Sequence, residues 1–228
     1  MCRKRLGFFL TFFRKREKCF AAEVCPVDLN SILYDAEIQI ANFAEQLKEF
    51  ALYEEFSKIA AERKKKTTEL MFDSKTGLYF DYRYTKKQKN TSLFHAASFF
   101  PVAYGISDSK EGMKTLLSVL EKEHGIVTCE ESDSSEMFQW DYPFMWAPLA
   151  AIAADALLAA DMKNDAQRIM QKYCETVELN YYETGNLWEK YNAVTGKVGV
   201  SAEYETPPMI GWTAGAYLKF VEIMNNFK

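Results

Sequence analysis

From Pro26 onward, apolar residues recur three and four positions apart. Leu29, Ile32, Leu33, Ala36, Ile40, Phe43, Leu47 and Phe50 fall on one stripe, the pattern of an amphipathic helix, and Asp28 is placed to cap its first turn. A second helix is predicted from about Glu54 to Met71, with Phe56, Ile59, Ala60 and Leu70 inward and Arg63–Lys66 as a solvated face. At Phe72–Tyr84 aromatics alternate around Gly77, which predicts a short strand or hairpin. Helical spacing returns from about Thr91 to Tyr104, with Gly105 as the C′ residue, and again from Asp108 to about Lys122. Polar and acidic residues then mark Gly125–Glu136 as a loop.

Trp146–Asp161 is apolar almost all round. Such a helix is buried on every side and belongs to an inner layer. Asn164–Asn180 is one-sided, with Ile169, Met170, Tyr173 and Val177 inward, and should lie outside it. ETGNLWEKY (Glu183–Tyr191) then echoes KTGLYFDY (Lys75–Tyr82), placing Thr-Gly between a helix and an aromatic stretch. The echo points to a pseudo-repeat of helical hairpins. About seven helices, alternately inner and outer, with short aromatic strands at one end, describe an all-α fold, an incomplete (α/α)6 toroid. An open toroid should leave an apolar flank exposed.

Between these halves lies Met137–Pro148, MFQWDYPFMWAP. Pro143 and Pro148 lack amide donors and push their predecessors towards extended geometry, so Gln139–Ala147 should be a rigid loop. Rigid indole faces beside an amide and a carboxylate suit a ligand with both apolar and polar faces, as a pyranose has. QWDYPFMWAP resembles the second signature of the family 37 glycoside hydrolases, the trehalases, and that resemblance implies a six-hairpin glycosidase form of the toroid. PVDLNSILY near the N-terminus also resembles a segment of that family. WEKYNAVTGKVGVSAEYETPPMIGWT resembles its C-terminal region, where Glu-Lys-Tyr, a glycine run, Glu-Tyr and Gly-Trp-Thr follow one another.

Composition agrees with one folded domain. The 228 residues are 48% hydrophobic and 15% aromatic, with little Gly or Pro, which excludes a disordered or collagenous chain. The net charge of −4 divides unevenly, since Met1–Lys18 carries seven Lys/Arg against one Glu and the rest carries −10. An acidic body gives no reason to expect nucleic acid. Cys2, Cys19, Cys25, Cys129 and Cys174 are odd in number and lack CxxC spacing, so they read as free thiols of a reducing, cytoplasmic compartment. His95 and His124 are far apart, with no ligand-spaced partner. No metal or other cofactor is expected, and His95 reads as a packing residue.

Leu6–Phe13 is apolar but too short to span a bilayer, and RKREK follows where a signal peptide would be cleaved. Residues 1–25 therefore read as a basic, apolar leader, from a truncated or misplaced start, or alternatively as a membrane-surface anchor. The domain proper is expected to run from Pro26 to Lys228.

Glycosidic hydrolysis needs two carboxyl groups, one to protonate the leaving oxygen and one to activate water or attack the sugar. The resemblance implies inverting hydrolysis of α,α-trehalose to glucose, with Glu203 as general base. It further implies that Gln139, Trp140, Asp141, Trp146, Glu189, Tyr204 and Trp212 bind substrate, with Trp188, Lys190, Tyr191, Gly211 and Thr213 on matching positions around them. Two departures shift the expectation towards a related α-glucoside. The glycine run is reduced to KVGVSA, and Met209-Ile210 stands where the family has Phe. The family's general acid is an Asp upstream of the PVDLN-like segment, and no Asp precedes Asp28. The resemblance thus covers the C-terminal two-fifths of the family domain, with the general acid absent. Asp141 is expected to hold a sugar hydroxyl or a backbone amide instead. The implied partners are a disaccharide and either a missing N-terminal half or a second copy of the chain. The competing functions are a non-catalytic carbohydrate-binding or regulatory relative and a helical scaffold.

Overall fold

A computed structural model describes residues 21–131, 138–201, 203–208 and 211–227. Expectations for residues 1–20, and for Met137, Met209 and Ile210, lie outside them. The chain opens with a 3-10 turn, Ala21–Glu23, and strand β1 (Val24–Cys25). Helices α1 (Val27–Gln46) and α2 (Phe50–Met71) follow as a hairpin joined by three residues. β2 (Phe72–Asp73) and β3 (Leu78–Tyr79) pair antiparallel across a turn in which Gly77 has φ +72°. β4 (Tyr82–Arg83) then lies between β1 and β5 (Gln88–Lys89).

After a 3-10 turn, Ala96–Phe99, come α3 (Phe100–Ala103), α4 (Lys110–Leu120) and the hairpin β6 (Glu121–Lys122)–β7 (Gly125–Ile126). β8 (Phe144–Trp146) leads into α5 (Ala147–Ala159), and α6 (Lys163–Thr184) returns to β9 (Lys190–Asn192). α7 (Gly211–Asn225) follows. Seven α-helices and nine short strands, five of them holding an aromatic residue, are thus present among the described residues.

α5 sits at the centre, packed against α3, α4, α6 and α7. Its all-round apolar sequence allows this, since Ala150, Ala153, Ala154, Ala156 and Leu157 are all buried. Alanines let neighbouring helices approach closely. Asp161 departs from the predicted inner face. The helix stops at Ala159, and Asp161 turns into solvent with φ +54°, where it meets Lys110 at 3.0 Å. On α6, Ile169, Met170, Tyr173 and Val177 face inward as their spacing requires.

α1 is a helix with its faces reversed. The apolar stripe points out, with Leu29, Ile32, Leu33, Ile40, Phe43, Leu47 and Phe50 exposed. The buried positions are Val27, Ser31, Glu37, Ala41 and Ala44. Small residues bring α2 close, and the Arg63 guanidinium forks onto Glu37 at 2.7–2.9 Å. Arg63 is therefore bound into the hairpin and is not part of a solvated face. On α2, Ala60 is buried as expected, but Ile59 and Leu70 are exposed. Pro26 and not Asp28 precedes the first turn, and the Asp28 carboxylate accepts from the neighbouring Leu29 amide at 2.7 Å.

Two further expectations are corrected. The helix read over Thr91–Tyr104 shrinks to a 3-10 turn and four α residues. His95 is drawn into an extended pairing with Cys129, and Pro101, lacking an amide donor, sits in the first turn of what helix remains. The loop read over Gln139–Ala147 ends early, because Phe144–Trp146 finds a strand partner in β9.

The outward stripe of α1 yields a direct test. Phe43 and Leu47 are 58% and 74% exposed, so replacing both with Glu should reduce apolar-dye binding and any self-association while leaving the melting temperature nearly unchanged. A large loss of melting temperature would show that these side chains are buried in solution.

Candidate functional site

The two motifs singled out in the sequence meet because β8 and β9 pair antiparallel. Phe144 stands opposite Asn192, Met145 opposite Tyr191, and Trp146 opposite Lys190. Gly125 allows β7 to sit directly on this pair: a side chain there would strike the Met145 sulfur, and its φ of +146° suits glycine. Ahead of β8, Phe138–Pro143 forms a tight loop ending in a cis Tyr142–Pro143 bond. The Asp141 carboxylate accepts from the Phe138 amide at 2.9 Å, and the Cys129 sulfur accepts from the Tyr142 amide at 3.2 Å.

The indoles form a block. Trp140 stacks on Trp146 at 3.9 Å with 9° between planes, and Trp212 meets Trp146 edge-on at 5.5 Å. Trp146 donates from Nε1 to the Gln139 carbonyl at 2.9 Å, and Trp212 donates to the Glu189 carbonyl at 3.2 Å. Such contacts satisfy the indole N–H and leave the ring faces for packing. Thr213 donates to the Trp188 carbonyl at 2.7 Å and ties the start of α7 to the approach of β9.

Residues 197–201 and 203–208 fold back onto β9. Gly199 donates from its amide to the Lys190 carbonyl at 3.0 Å, and a Cβ on Gly199 would lie 3.0 Å from both the Lys190 stem and the Phe144 ring. The one glycine retained in KVGVSA is therefore the one that the close approach requires. This fold brings Glu203 and Tyr204 back to the tryptophan loop. Glu203 accepts from the Gln139 amide at 2.7 Å. The Tyr204 hydroxyl donates to Glu189 through a short bond and lies 2.9 Å from the Lys190 ammonium.

All eight predicted site residues thus share one neighbourhood, but they divide by depth. Trp146 and Asp141 are buried, so Trp146 backs Trp140 and Asp141 braces the loop. Gln139, Trp140, Glu189, Glu203, Tyr204 and Trp212 are partly exposed. The residue whose role the sequence did not disclose is Lys190, wholly buried beside Glu189 and Tyr204. A lysine in a short strand carries no signal of its own.

Burial pushes the Asp141 carboxyl up to about 7, the Phe138 amide opposes this, and the Glu203 carboxylate adds to it. Asp28, half-buried and near Asp81, is pushed up to about 6, by desolvation first and by the Asp81 charge second. Desolvation also raises the Cys129 thiol and the Tyr204 hydroxyl above their ordinary ranges. Among the described residues no group of three His, Cys, Asp or Glu could hold a metal ion, and no helix is long and apolar enough to cross a membrane.

A family model described as Trehalase matches residues 13–225. The chain is 28% identical to the cytosolic neutral trehalase of Kluyveromyces lactis over 95% of its own length and 32% of that protein. It is 28% identical to the trehalase of Homo sapiens over 88% of its length and 36% of that protein. It therefore spans about a third of the length of these relatives. The neutral trehalase Nth1 structure from Saccharomyces cerevisiae superposes with a TM-score of 0.74 at 26% identity, over 89% of this chain and 38% of that one. A GH63 mannosylglycerate hydrolase from Thermus thermophilus shares the fold at a TM-score of 0.68 and 18% identity, over 87% of this chain and 48% of that one. The match to a solved trehalase agrees with the six-hairpin reading of the fold.

These two raised carboxyls fix a sign for the pH dependence of stability. Asp28 and Asp141 hold their protons more tightly folded than unfolded, so between about pH 4 and pH 7 their contribution falls as pH rises. Asp141→Asn mimics the protonated form. Thermal unfolding across that window should show a shallower decline in the variant than in the wild type, and parallel profiles would contradict the assignment.

Proposed function

Because the chain belongs to the trehalase family, we propose that it carries the water-activating side of a glycosidase site for an α-linked disaccharide, α,α-trehalose or a close α-glucoside. The observation that supports this most is the junction of the two motifs: β8 pairs with β9, and Glu203 fastens the Gln139 amide across the gap. A helical scaffold has no use for partly exposed Trp140, Trp212, Gln139 and two carboxylates around one indole block. Indole faces take the C–H face of a pyranose, while amide and carboxylate take its hydroxyls.

In inverting hydrolysis, one carboxylate removes a proton from water as its oxygen attacks the anomeric carbon, and a carboxylic acid on the other side protonates the departing oxygen. Glu203 and Glu189 are the two candidates for the base. Motif order favours Glu203. Hydrogen bonding favours Glu189, and we adopt it. Its Oε2 is held by Tyr204 and Lys190, and its Oε1 has no hydrogen-bond partner among the described residues. Glu203 is occupied in holding the tryptophan loop. Asp141 is a poor acid despite its retained proton, because it is buried and committed to the Phe138 amide. The protonating group is assigned to a further trehalase-type segment packing against this chain, as part of the same polypeptide or a separate one. A reducing compartment fits the free thiols Cys25, Cys129 and Cys174 and the likeness to cytosolic relatives, although a periplasmic trehalase of Escherichia coli is also similar.

The test is trehalose hydrolysis by residues 1–228 alone and after addition of an N-terminal trehalase-family fragment. The chain alone should show little turnover, and the mixture should gain it. In the mixture, Glu189→Gln should cost about 10²–10⁴-fold in kcat, the worth of a general base. Glu203→Gln should act mainly on KM. The reverse pattern would return the base to Glu203, and robust turnover by the chain alone would contradict the assignment of the acid elsewhere.

A further inference from the structure

Lys190 is fully buried, yet it is a lysine in the middle of an aromatic box. Its Nζ lies 4.0 Å from the Tyr204 ring centroid, 5.3 Å from that of Trp146 and 5.7 Å from that of Phe144. Its polar contacts are the Tyr204 hydroxyl at 2.9 Å and Glu189 Oε2 at 3.4 Å. Taking an ammonium out of water is costly unless charge and hydrogen bonds offset it, and a packing role would be filled better by Met or Leu. The cation is kept where three ring faces and one carboxylate converge.

We propose that Lys190 is the positioning residue of the site, locking the Glu189 carboxylate and the Tyr204 hydroxyl into one unit and setting the pH range in which that unit binds sugar. The inference rests on the reading of this surface as a sugar site and extends it to a residue that touches no substrate. The geometry supplies a chain of restraint. Gly199 lies close against the lysine stem, the ammonium fixes Tyr204, and both hold one oxygen of Glu189, leaving the other for a ligand or water. The charged and titratable groups facing Lys190 are Glu189 on its own segment and Glu203 and Tyr204 on the returning loop, with Asp141 next in line beside Glu203. Burial pushes the ammonium below the ordinary lysine range, while Glu189 and Glu203 pull the other way.

Lys190→Met keeps the length of the side chain and removes the charge. Tyr204→Phe removes only the hydroxyl and serves as the second variant should Lys190→Met not fold. Calorimetric titration of wild type and both variants with the cationic sugar analogue 1-deoxynojirimycin, from pH 4 to pH 8, gives the binding profile. Crystal structures give the positions of Glu189 and Tyr204. Removing the ammonium takes away the charge that opposes proton uptake by this unit, so the acidic limb of binding should move to higher pH in Lys190→Met, and less in Tyr204→Phe. The Glu189–Tyr204 contact should open in Lys190→Met. An unchanged profile with Glu189 and Tyr204 in place would overturn the inference and leave Lys190 a packing residue. If the wild type bound neither 1-deoxynojirimycin nor trehalose, the sugar-site reading would fail instead, and the crystal comparison alone would decide whether Lys190 positions its neighbours.

Discussion

The pairing of Trp146 with Lys190 across β8 and β9 is the constraint on which the site depends. Each strand has only three residues, too few to be stable alone. Their register is fixed by what flanks them. Trp146 is held by Trp140 on one face and Trp212 at its edge, and Lys190 is held by Tyr204 and Glu189. A slip of one residue would turn Lys190 away from its partners and leave a buried charge without compensation. Packing and electrostatics thus select the same register.

The helices convert this local junction into a scaffold. α5 begins immediately after Trp146, with Pro148 in its first turn, where the missing amide costs nothing. Its apolar surface is covered by α3, α4, α6 and α7, so the tryptophan loop stands on the central helix of the fold. α6 runs antiparallel to α5 and ends at Gly185, whose φ of +72° turns the chain towards β9. α7 closes on both, with Lys219 meeting Asp155 at 2.6 Å and Tyr217 donating to Glu178 at 2.6 Å. The α5–α6 hairpin and α7 therefore support the loops and strands on which the site residues stand, and α7 itself carries Trp212. The α1–α2 hairpin stands apart from this group, its apolar stripe outward and its Glu37–Arg63 pair inward.

Legibility in the sequence followed the strength of the local constraint. α5 and α6 were readable because apolarity all round and apolarity on one side have different burial consequences. The reversed α1 was not, since periodicity locates a stripe but not its partner, and here small and polar side chains took the buried face. Thr91–Tyr104 misled because helical spacing was present while the long-range pairing of His95 with Cys129 competed for the backbone. The prolines around β8 signalled a rigid loop correctly up to Pro143, and they hid the strand that pairs with a segment more than forty residues away. In the site, residue types named the neighbourhood but not the depth. Nothing in QWDYPFMW tells that Trp146 and Asp141 are buried while Trp140 stays partly open, because that depends on which ring lies beneath the other.

The proposal places Gln139 and Trp140 with Glu189, Glu203, Tyr204 and Trp212 on a single sugar-facing surface. The four tryptophans of the chain make natural reporters, being Trp140, Trp146, Trp188 and Trp212. Their indole N–H resonances, followed by 1H–15N correlation spectra during a titration with trehalose, read that surface directly. The account predicts that Trp140 and Trp212 shift together along one saturable curve, with a smaller response from buried Trp146 and least from Trp188, whose N–H is held by Thr184 outside the block. Independent curves for Trp140 and Trp212, or no shift in either at saturating sugar, would contradict it.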